Sequence, residues 1–368
     1  RPMWYALKNK KAEYKYSFDY QNWYPSVEFE TKNTITNVGL YELSPFSKYE
    51  IKGEKAHSVL QKICTANIKN EIGRSTYTQM LNEAGGIEAD LTVICIKQNY
   101  YRIISSAATR THDKAHIEKH LTPDLEFNDI TDDLVCLGIF GPKSRNLISR
   151  ISDDDFTNES FKFGTGKFIN IFSKKVWIQR LSYVGELGFE VYINNKDANE
   201  VYQAIVKEGK NHNLSHCGSH AMDTMRMESG FLHWGHDISP EENQYEAGLK
   251  FAISYKKEVN FIGKENLLKI KDKVQNRRFI MLSLSDSVPG TPLLLHEEPI
   301  YLKDKIIGKT TSGNYSFNYK KNLSFGYVES EYSNEELGKM DLYIEVAKKK
   351  YLVIVETIPL KNKLARLS

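Results

Sequence analysis

Gly73-Arg74-Ser75-Thr76-Tyr77-Thr78-Gln79-Met80-Leu81-Asn82-Glu83-Ala84-Gly85-Gly86-Ile87-Glu88-Ala89-Asp90-Leu91-Thr92-Val93 reads as two strands joined by a tight glycine turn. Tyr77, Gln79 and Leu81 alternate on the way in, and Leu91 and Val93 on the way out, the period of two expected of a half-buried strand. Gly85-Gly86 supplies the turn, because paired glycines accept positive φ and let backbone or ligand approach closely. Asp90 then stands at the start of an apolar run, Leu91-Thr92-Val93-Ile94-Cys95-Ile96. A lone carboxylate in that place has two readings: a turn or edge acid facing water, or an acid that meets a ligand in a pocket.

Bulk properties narrow the choice of function. The 368 residues suffice for roughly two or three packed units with a sizeable core. A net charge of +3, from 50 basic and 47 acidic residues, gives no electrostatic case for binding nucleic acid or an anionic membrane. Cys64, Cys95, Cys136 and Cys217 are widely spaced and form no C-x-x-C pair, which argues against a zinc site or a disulfide framework. No apolar run reaches the roughly 18 residues of a membrane span, and no signal peptide is visible. The expected location is cytoplasmic, or the mitochondrial matrix in a eukaryote. The chain opens Arg1-Pro2 rather than with methionine, as expected of a trimmed chain or a piece of a longer polypeptide.

Outward from the hairpin, three regions differ in texture. Residues 1–36 carry Trp4, Tyr5, Tyr14, Tyr16, Phe18, Tyr20, Trp23 and Tyr24 with little periodicity. They read as an extended aromatic arm that docks on the body of this chain or on another domain. Residues 37–275 mix alternating strands with helical spacing over 54–63, 107–120, 143–150, 198–208 and 219–229, an α+β pattern. Within them, Tyr183-Val184-Gly185-Glu186-Leu187-Gly188-Phe189-Glu190 forms a second glycine turn, and Glu190 is again a carboxylate in an apolar strand. Residues 276–368 show short strands punctuated by Pro and Gly, the texture of a compact β-barrel beyond a basic linker at 271–278.

The motif inventory is mostly negative. His112, His116 and His120 recur every four residues on a helical stretch, but no carboxylate or cysteine of suitable spacing completes a metal set, so no metal is expected. Gly164-Thr165-Gly166-Lys167 lacks the third glycine of a dinucleotide fingerprint. Without a flavin or nicotinamide motif, redox chemistry is not expected of this chain alone. Carboxylates in strands, glycine turns and many aromatic rings suit a flat heteroaromatic ligand that carries N–H donors.

Met80 to Val93, Tyr183 to Glu190 and Asp223-Thr224-Met225-Arg226-Met227-Glu228-Ser229-Gly230 resemble the glycine-cleavage T-protein (aminomethyltransferase) family, over about residues 37–368. Trp234-Gly235-His236-Asp237-Ile238, Glu246-Ala247-Gly248-Leu249 and Phe261-Ile262-Gly263-Lys264 point the same way. The resemblance is closer still to the folate-binding C-terminal half of dimethylglycine and sarcosine dehydrogenases, whose segment after the flavin oxidase half is similar to Tyr14-Lys15-Tyr16-Ser17-Phe18 with Asn22-Trp23. It implies a three-subdomain fold of antiparallel sheets with helices, two subdomains in 37–275 and the barrel in 276–368, around a central hole for tetrahydrofolate. It also implies Asp90 as the acid beside the folate nitrogen that receives the one-carbon unit, and Glu190 as the grip on the pterin. Tyr183, Tyr77, Leu81, Arg226 and Trp234 are the further folate contacts it implies, although Arg226 can also pair within the helix bundle.

Met222 stands where the T-protein has arginine, and Pro359-Leu360-Lys361-Asn362-Lys363-Leu364 lacks the T-protein tyrosine. Both departures favour the dehydrogenase type over glycine cleavage. The implied activity is capture of an iminium or aminomethyl unit from an N-methylglycine by tetrahydrofolate, giving 5,10-methylenetetrahydrofolate. The flavin would lie outside this chain, in an oxidase domain or subunit. A folate-dependent demethylase of another methyl donor, such as a sulfonium compound, is the second reading. A non-catalytic folate-binding module that docks on a flavoprotein through Trp4, Trp23 and Tyr24 is the third.

Overall fold

The computed structural model describes residues 2–8, 10–329 and 331–360. Lys361 to Leu364 lie outside the described residues. The fold is α+β, built on three sheets. The opening hairpin forms the edge of an antiparallel five-stranded sheet: Ser75–Leu81, Ile87–Lys97, Tyr100–Ser105, Ser47–Lys52 and Glu126–Asp129 in spatial order. The second sheet has six strands, in the order Leu214–Cys217, Val38–Glu42, Leu134–Phe140, Gly188–Asn194, Lys174–Gln179 and Gly166–Ile171. Its only parallel pair among these is the first, Val38 opposite Leu214. Six further strands between Arg277 and Glu356 close into a barrel.

Period-two burial places the candidate acids. Along Ile87–Lys97, Ala89, Leu91 and Val93 are buried in one core cluster. Asp90 and Thr92 therefore face the other way. In Gly188–Asn194 the same parity puts Glu190 and Tyr192 on one face. The strands from which Asp90 and Glu190 project belong to different sheets, so only the packing of the sheets brings the two acids to a common space.

Leu81 departs from its expected place. The register of the hairpin shifts between Met80 and Leu81. The extra residue is Glu88 on the second strand, since Met80 stands opposite Ala89 and Leu81 opposite Ile87. Leu81 keeps the parity of Tyr77 and Gln79 but packs, fully buried, in a cluster with Ile87, Phe261 and Leu267.

The N-terminal region also differs from an extended arm, because Tyr24–Thr36 is a helix with Pro25 in its first turn. Its buried side is largely polar and hides the apolar period of a helix. Thr34 Oγ1 donates to the Glu30 carbonyl (2.8 Å), and Asn33 Nδ2 donates to the Val38 carbonyl (3.0 Å). The segment before the helix docks on this chain. Trp4, Trp23 and Tyr24 are buried in one cluster with Tyr41, Phe140 and Met225, so they are not a free docking surface. Ser219 N donates to the Pro2 carbonyl and His220 N to the Met3 carbonyl, each at 3.0 Å. These bonds satisfy first-turn N–H groups of the Ser219–Glu228 helix that have no partner within the helix.

At the glycine turn, Gly85 has φ +97° and Gly86 leaves no room for a side chain. A Cβ on Gly86 would lie 1.9 Å from the Pro240 carbonyl oxygen. The Ile87 N–H donates to the Glu242 carbonyl at 3.0 Å, so residues 239–249 are held against the hairpin at this point. Gly86→Ala is expected to displace those residues and cost about 1–3 kcal/mol of stability, as overpacking does. Urea unfolding of the variant against the parent chain checks this.

Candidate functional site

The three sheets and the Ser219–Glu228 helix line a cavity of about 1620 Å³ that opens to solvent. Asp90 and Tyr77 reach it from the five-stranded sheet, Glu190 and Tyr192 from the six-stranded sheet, and Thr311 and Ser312 from the barrel. Tyr183, Arg226 and Trp234 complete the set of expected residues on its wall; Leu81 does not reach it.

Asp90 sits directly opposite Gln79 across the hairpin, and the Gln79 side-chain amide donates to Asp90 Oδ1 at 2.7 Å. Burial drives the Asp90 carboxyl up from its ordinary value of 3.8 to about 6, against the opposing pull of hydrogen bonds from Gln79 and Tyr77. A carboxyl poised there exchanges a proton near neutral pH. Glu190 is likewise raised by burial, opposed by the Tyr192 hydroxyl, which donates to Oε2 at 2.6 Å. The phenols of Tyr77, Tyr183 and Tyr192 are pushed upward by burial, so all three keep their protons at physiological pH. Burial and the neighbouring Arg226 cation pull His233 down to about 4, leaving a neutral imidazole on the wall.

The aromatic residues differ in how far they are engaged. Tyr183 donates its hydroxyl to the Leu232 carbonyl at 2.7 Å and stacks on Phe231. The Trp234 indole donates to the Ile87 carbonyl at 3.0 Å. Tyr77, 38% exposed, lies nearly parallel to Phe251 with ring centroids 6.1 Å apart, and both line the cavity. Their ring faces offer a flat ligand an apolar contact.

Arg226 borders the cavity, but its donors are engaged by the protein. Nε donates to Asp223 Oδ1 (2.8 Å), Nη1 to Asp237 Oδ2 (2.6 Å) and the Phe231 carbonyl (3.1 Å), and Nη2 to Ser312 Oγ (2.8 Å). Its guanidinium also lies over the Phe325 ring at 5.2 Å. The residue therefore clamps helix, loop and barrel together, and holding the wall is its structural role. Asp223 stays below the ordinary carboxylate range: burial raises it, but the Arg226 charge and bonds from Arg226 and Asn314 outweigh that.

The histidines with helical spacing do not converge. His112 Nε2 lies 3.0 Å from Glu88 Oε2 and its Nδ1 lies 3.1 Å from Asp113 Oδ1. Among the described residues, no group of three or more His, Cys, Asp or Glu is arranged to hold a metal ion. No helix among them is long and apolar enough to cross a membrane.

Several residues on the wall, such as Tyr192 and Phe251, or buried behind it, such as Gln79 and Gln244, are not singled out by the sequence. Tyr192 carries a usable signal, since it shares the parity of Glu190. Gln79 stands out only as a member of the alternation. Gln244 and Phe251 carry no signal, because their meaning depends on contacts with the distant hairpin.

The pairing of Arg226 with buried Asp237 yields a stability prediction. Arg226→Met would leave the Asp237 carboxylate buried without its cation, at a cost of about 3–5 kcal/mol. Chemical denaturation should show this loss whether or not a ligand is added.

Comparisons with known proteins agree with this architecture. The GCVT N-terminal domain model matches residues 1–257, and the glycine cleavage T-protein C-terminal barrel domain model matches residues 277–360. The chain is similar to the mitochondrial dimethylglycine dehydrogenase of Rattus norvegicus, 33% identical over 364 residues, covering 98% of this chain and 42% of that protein. It therefore spans about two-fifths of that relative's length. It is 31% identical over 329 residues to the aminomethyltransferase of Listeria monocytogenes serotype 4a (strain HCC23), covering 88% of each. The crystal structure of glycine cleavage system aminomethyltransferase T from Bartonella henselae shares the fold, with a TM-score of 0.82, 21% identity, and coverage of 96% of this chain and 95% of that one.

Proposed function

Because this chain belongs to the glycine-cleavage T-protein (aminomethyltransferase) family, we propose that it transfers a one-carbon unit from an N-methylated glycine, dimethylglycine or sarcosine, to tetrahydrofolate. The product is 5,10-methylenetetrahydrofolate. The observation that carries this reading is Asp90 on the wall of a large cavity, with burial raising its carboxyl to about 6. Preference for a methylated glycine over the glycine-cleavage substrate is supported by the relative at 33% identity, a dimethylglycine dehydrogenase. Oxidation of the donor to the iminium belongs, in this proposal, to a flavin oxidase domain or subunit outside these 368 residues.

The wall suits the ligand. Folate's pterin is flat and rich in N–H donors, and the cavity offers the Asp90 and Glu190 carboxylates as acceptors with Tyr77 and Phe251 as ring faces. Glu190 would hold the pterin N–H groups while Tyr192 orients its carboxylate. Tyr183, Tyr77 and Trp234 would line the ring and its linker, and Arg226 would act through the wall it clamps. Bound tetrahydrofolate supplies the nitrogen nucleophiles for the one-carbon unit. Asp90, ionised above about pH 6, accepts the proton that the attacking nitrogen must lose. Confinement between the sheets would raise the effective concentration of a hydrolysable iminium.

Asp90→Asn tests the role. Transfer should fall by about 10²–10⁴-fold, the range of general acid–base catalysis. Tetrahydrofolate affinity, measured by calorimetry, should stay within several fold. Retained transfer overturns the role of Asp90, and absence of folate binding in the parent chain overturns the whole reading.

The acid limb of the parent pH–rate profile should rise through about pH 6 as Asp90 ionises. Stability has the opposite sign. The Asp90 carboxyl is raised in the folded protein, which therefore binds more protons than the unfolded chain between about pH 4 and 6. Stability falls as pH rises through that window. Asp90→Asn should accordingly be no less stable than the parent at pH 7, and equilibrium unfolding at pH 5 and pH 7 measures the difference.

A further inference from the structure

We propose that Gln79 is a positioning residue for Asp90, and that Gln244 and Thr65 hold Gln79 in the one orientation that serves that acid. The inference rests on the reading of Asp90 as proton acceptor.

Gln79 is fully buried and stands directly across the hairpin from Asp90. Its Nε2 donates to Asp90 Oδ1 at 2.7 Å. A glutamine side chain has two faces, and the reverse orientation would set the amide oxygen against the carboxylate. Something must therefore fix the amide. Gln244, also fully buried, does so from the 239–249 segment: its Nε2 donates to Gln79 Oε1 at 2.5 Å and to Thr65 Oγ1 at 3.1 Å. Thr65 in turn donates its hydroxyl proton to the Ala252 carbonyl at 3.1 Å, which leaves its oxygen free to accept from Gln244. Every donor in the chain of bonds then has one direction, anchored at a backbone carbonyl.

A second observation supports a functional reading of this arrangement. Gln244 Oε1 is buried and has no hydrogen-bond partner among the described residues. A bare buried acceptor costs stability, and an apolar side chain of similar volume would avoid that cost. The orientation that leaves Oε1 bare is the one that aims the Gln244 N–H groups at Gln79 and Thr65. The wall accepts an unsatisfied group, and the result is a fixed donor on Asp90.

The consequence for Asp90 is twofold. The hydrogen bond from Gln79 to Oδ1 restrains carboxylate rotation. The same bond favours the ionised form against burial. Tyr77, from the strand of Gln79, and Tyr183, from the loop before Gly188, are the titratable groups that interact with Asp90, and both phenols remain protonated. The neutral amide of Gln79 is thus the fixed donor that opposes desolvation without adding a charge to the cavity.

The test uses the whole chain with ¹³Cγ-labelled aspartate, the Asp90 signal being assigned by its absence in Asp90→Asn. Gln79→Met keeps the length of the side chain and removes both amide faces. The Asp90 titration midpoint, read by NMR without folate, should rise by about one to two pH units, the scale of a lost hydrogen bond to a charged group. Transfer at pH 7 should fall about two- to tenfold in kcat, as that rise in midpoint removes the ionised form, with the KM for folate unchanged, and should recover at pH 8.5. Gln244→Leu leaves Gln79 in place but frees its orientation, so the midpoint should rise by a smaller amount. An unchanged midpoint in Gln79→Met overturns the proposal. Should that variant fail to fold, an unchanged midpoint in Gln244→Leu overturns it. Because the midpoint is read without folate or donor, a shifted midpoint in a chain that transfers nothing supports the positioning role and removes the proposed reaction instead.

Discussion

The Arg226 guanidinium on the Asp237 carboxylate, 2.6 Å apart with both side chains buried, is the constraint on which the cavity depends. Asp237 also accepts from Thr311 and Ser312 on the barrel (2.7 and 2.8 Å) and from the His233 N–H (2.9 Å). One carboxylate therefore joins the Ser219–Glu228 helix, the segment after it and the barrel wall. A buried charge pair is costly to desolvate and costlier to break, so its partners hold their places. The cavity exists because elements from three sheets meet at such ties rather than collapsing onto one another.

Around that frame, desolvation sorts the polar groups by protonation. Asp90 and Glu190 are raised, His233 is lowered, and the three wall tyrosines keep their protons. The two acids differ in their support. Glu190 is held by a hydroxyl two residues along its own strand, a local arrangement that the strand period provides. Asp90 is held by an amide across the hairpin that is itself held by a residue 165 positions further along the chain. The proton exchange proposed for Asp90 needs burial enough to raise its pKa and a donor firm enough to limit the rise, and the second arrangement supplies both.

The glycine turn links these two themes. Close approach of the Pro240 carbonyl to Gly86 allows the 239–249 segment to lie against the hairpin, and the same segment delivers Gln244 to Gln79. Packing at the turn and orientation at the acid are thus parts of one contact between distant stretches of chain.

The hairpin, the second glycine turn and the barrel were legible in the sequence, because alternation and Gly/Pro punctuation are written in neighbouring residues. So were the α+β class and the two carboxylates in apolar strands. The Tyr24–Thr36 helix was not, since its buried positions Glu30, Thr31, Asn33 and Thr34 are polar and satisfied by backbone partners that lie outside any periodic pattern. Leu81 keeps the alternation but does not reach the cavity, because Ile87, Phe261 and Leu267, two of them from a distant stretch of chain, pack with it. Only the tertiary structure decided what Asp90 is. Its environment comes from sheets, loop and barrel far apart in the chain, and the free energy of burying a charge depends on all the surfaces that exclude water from it, not on the residues beside it.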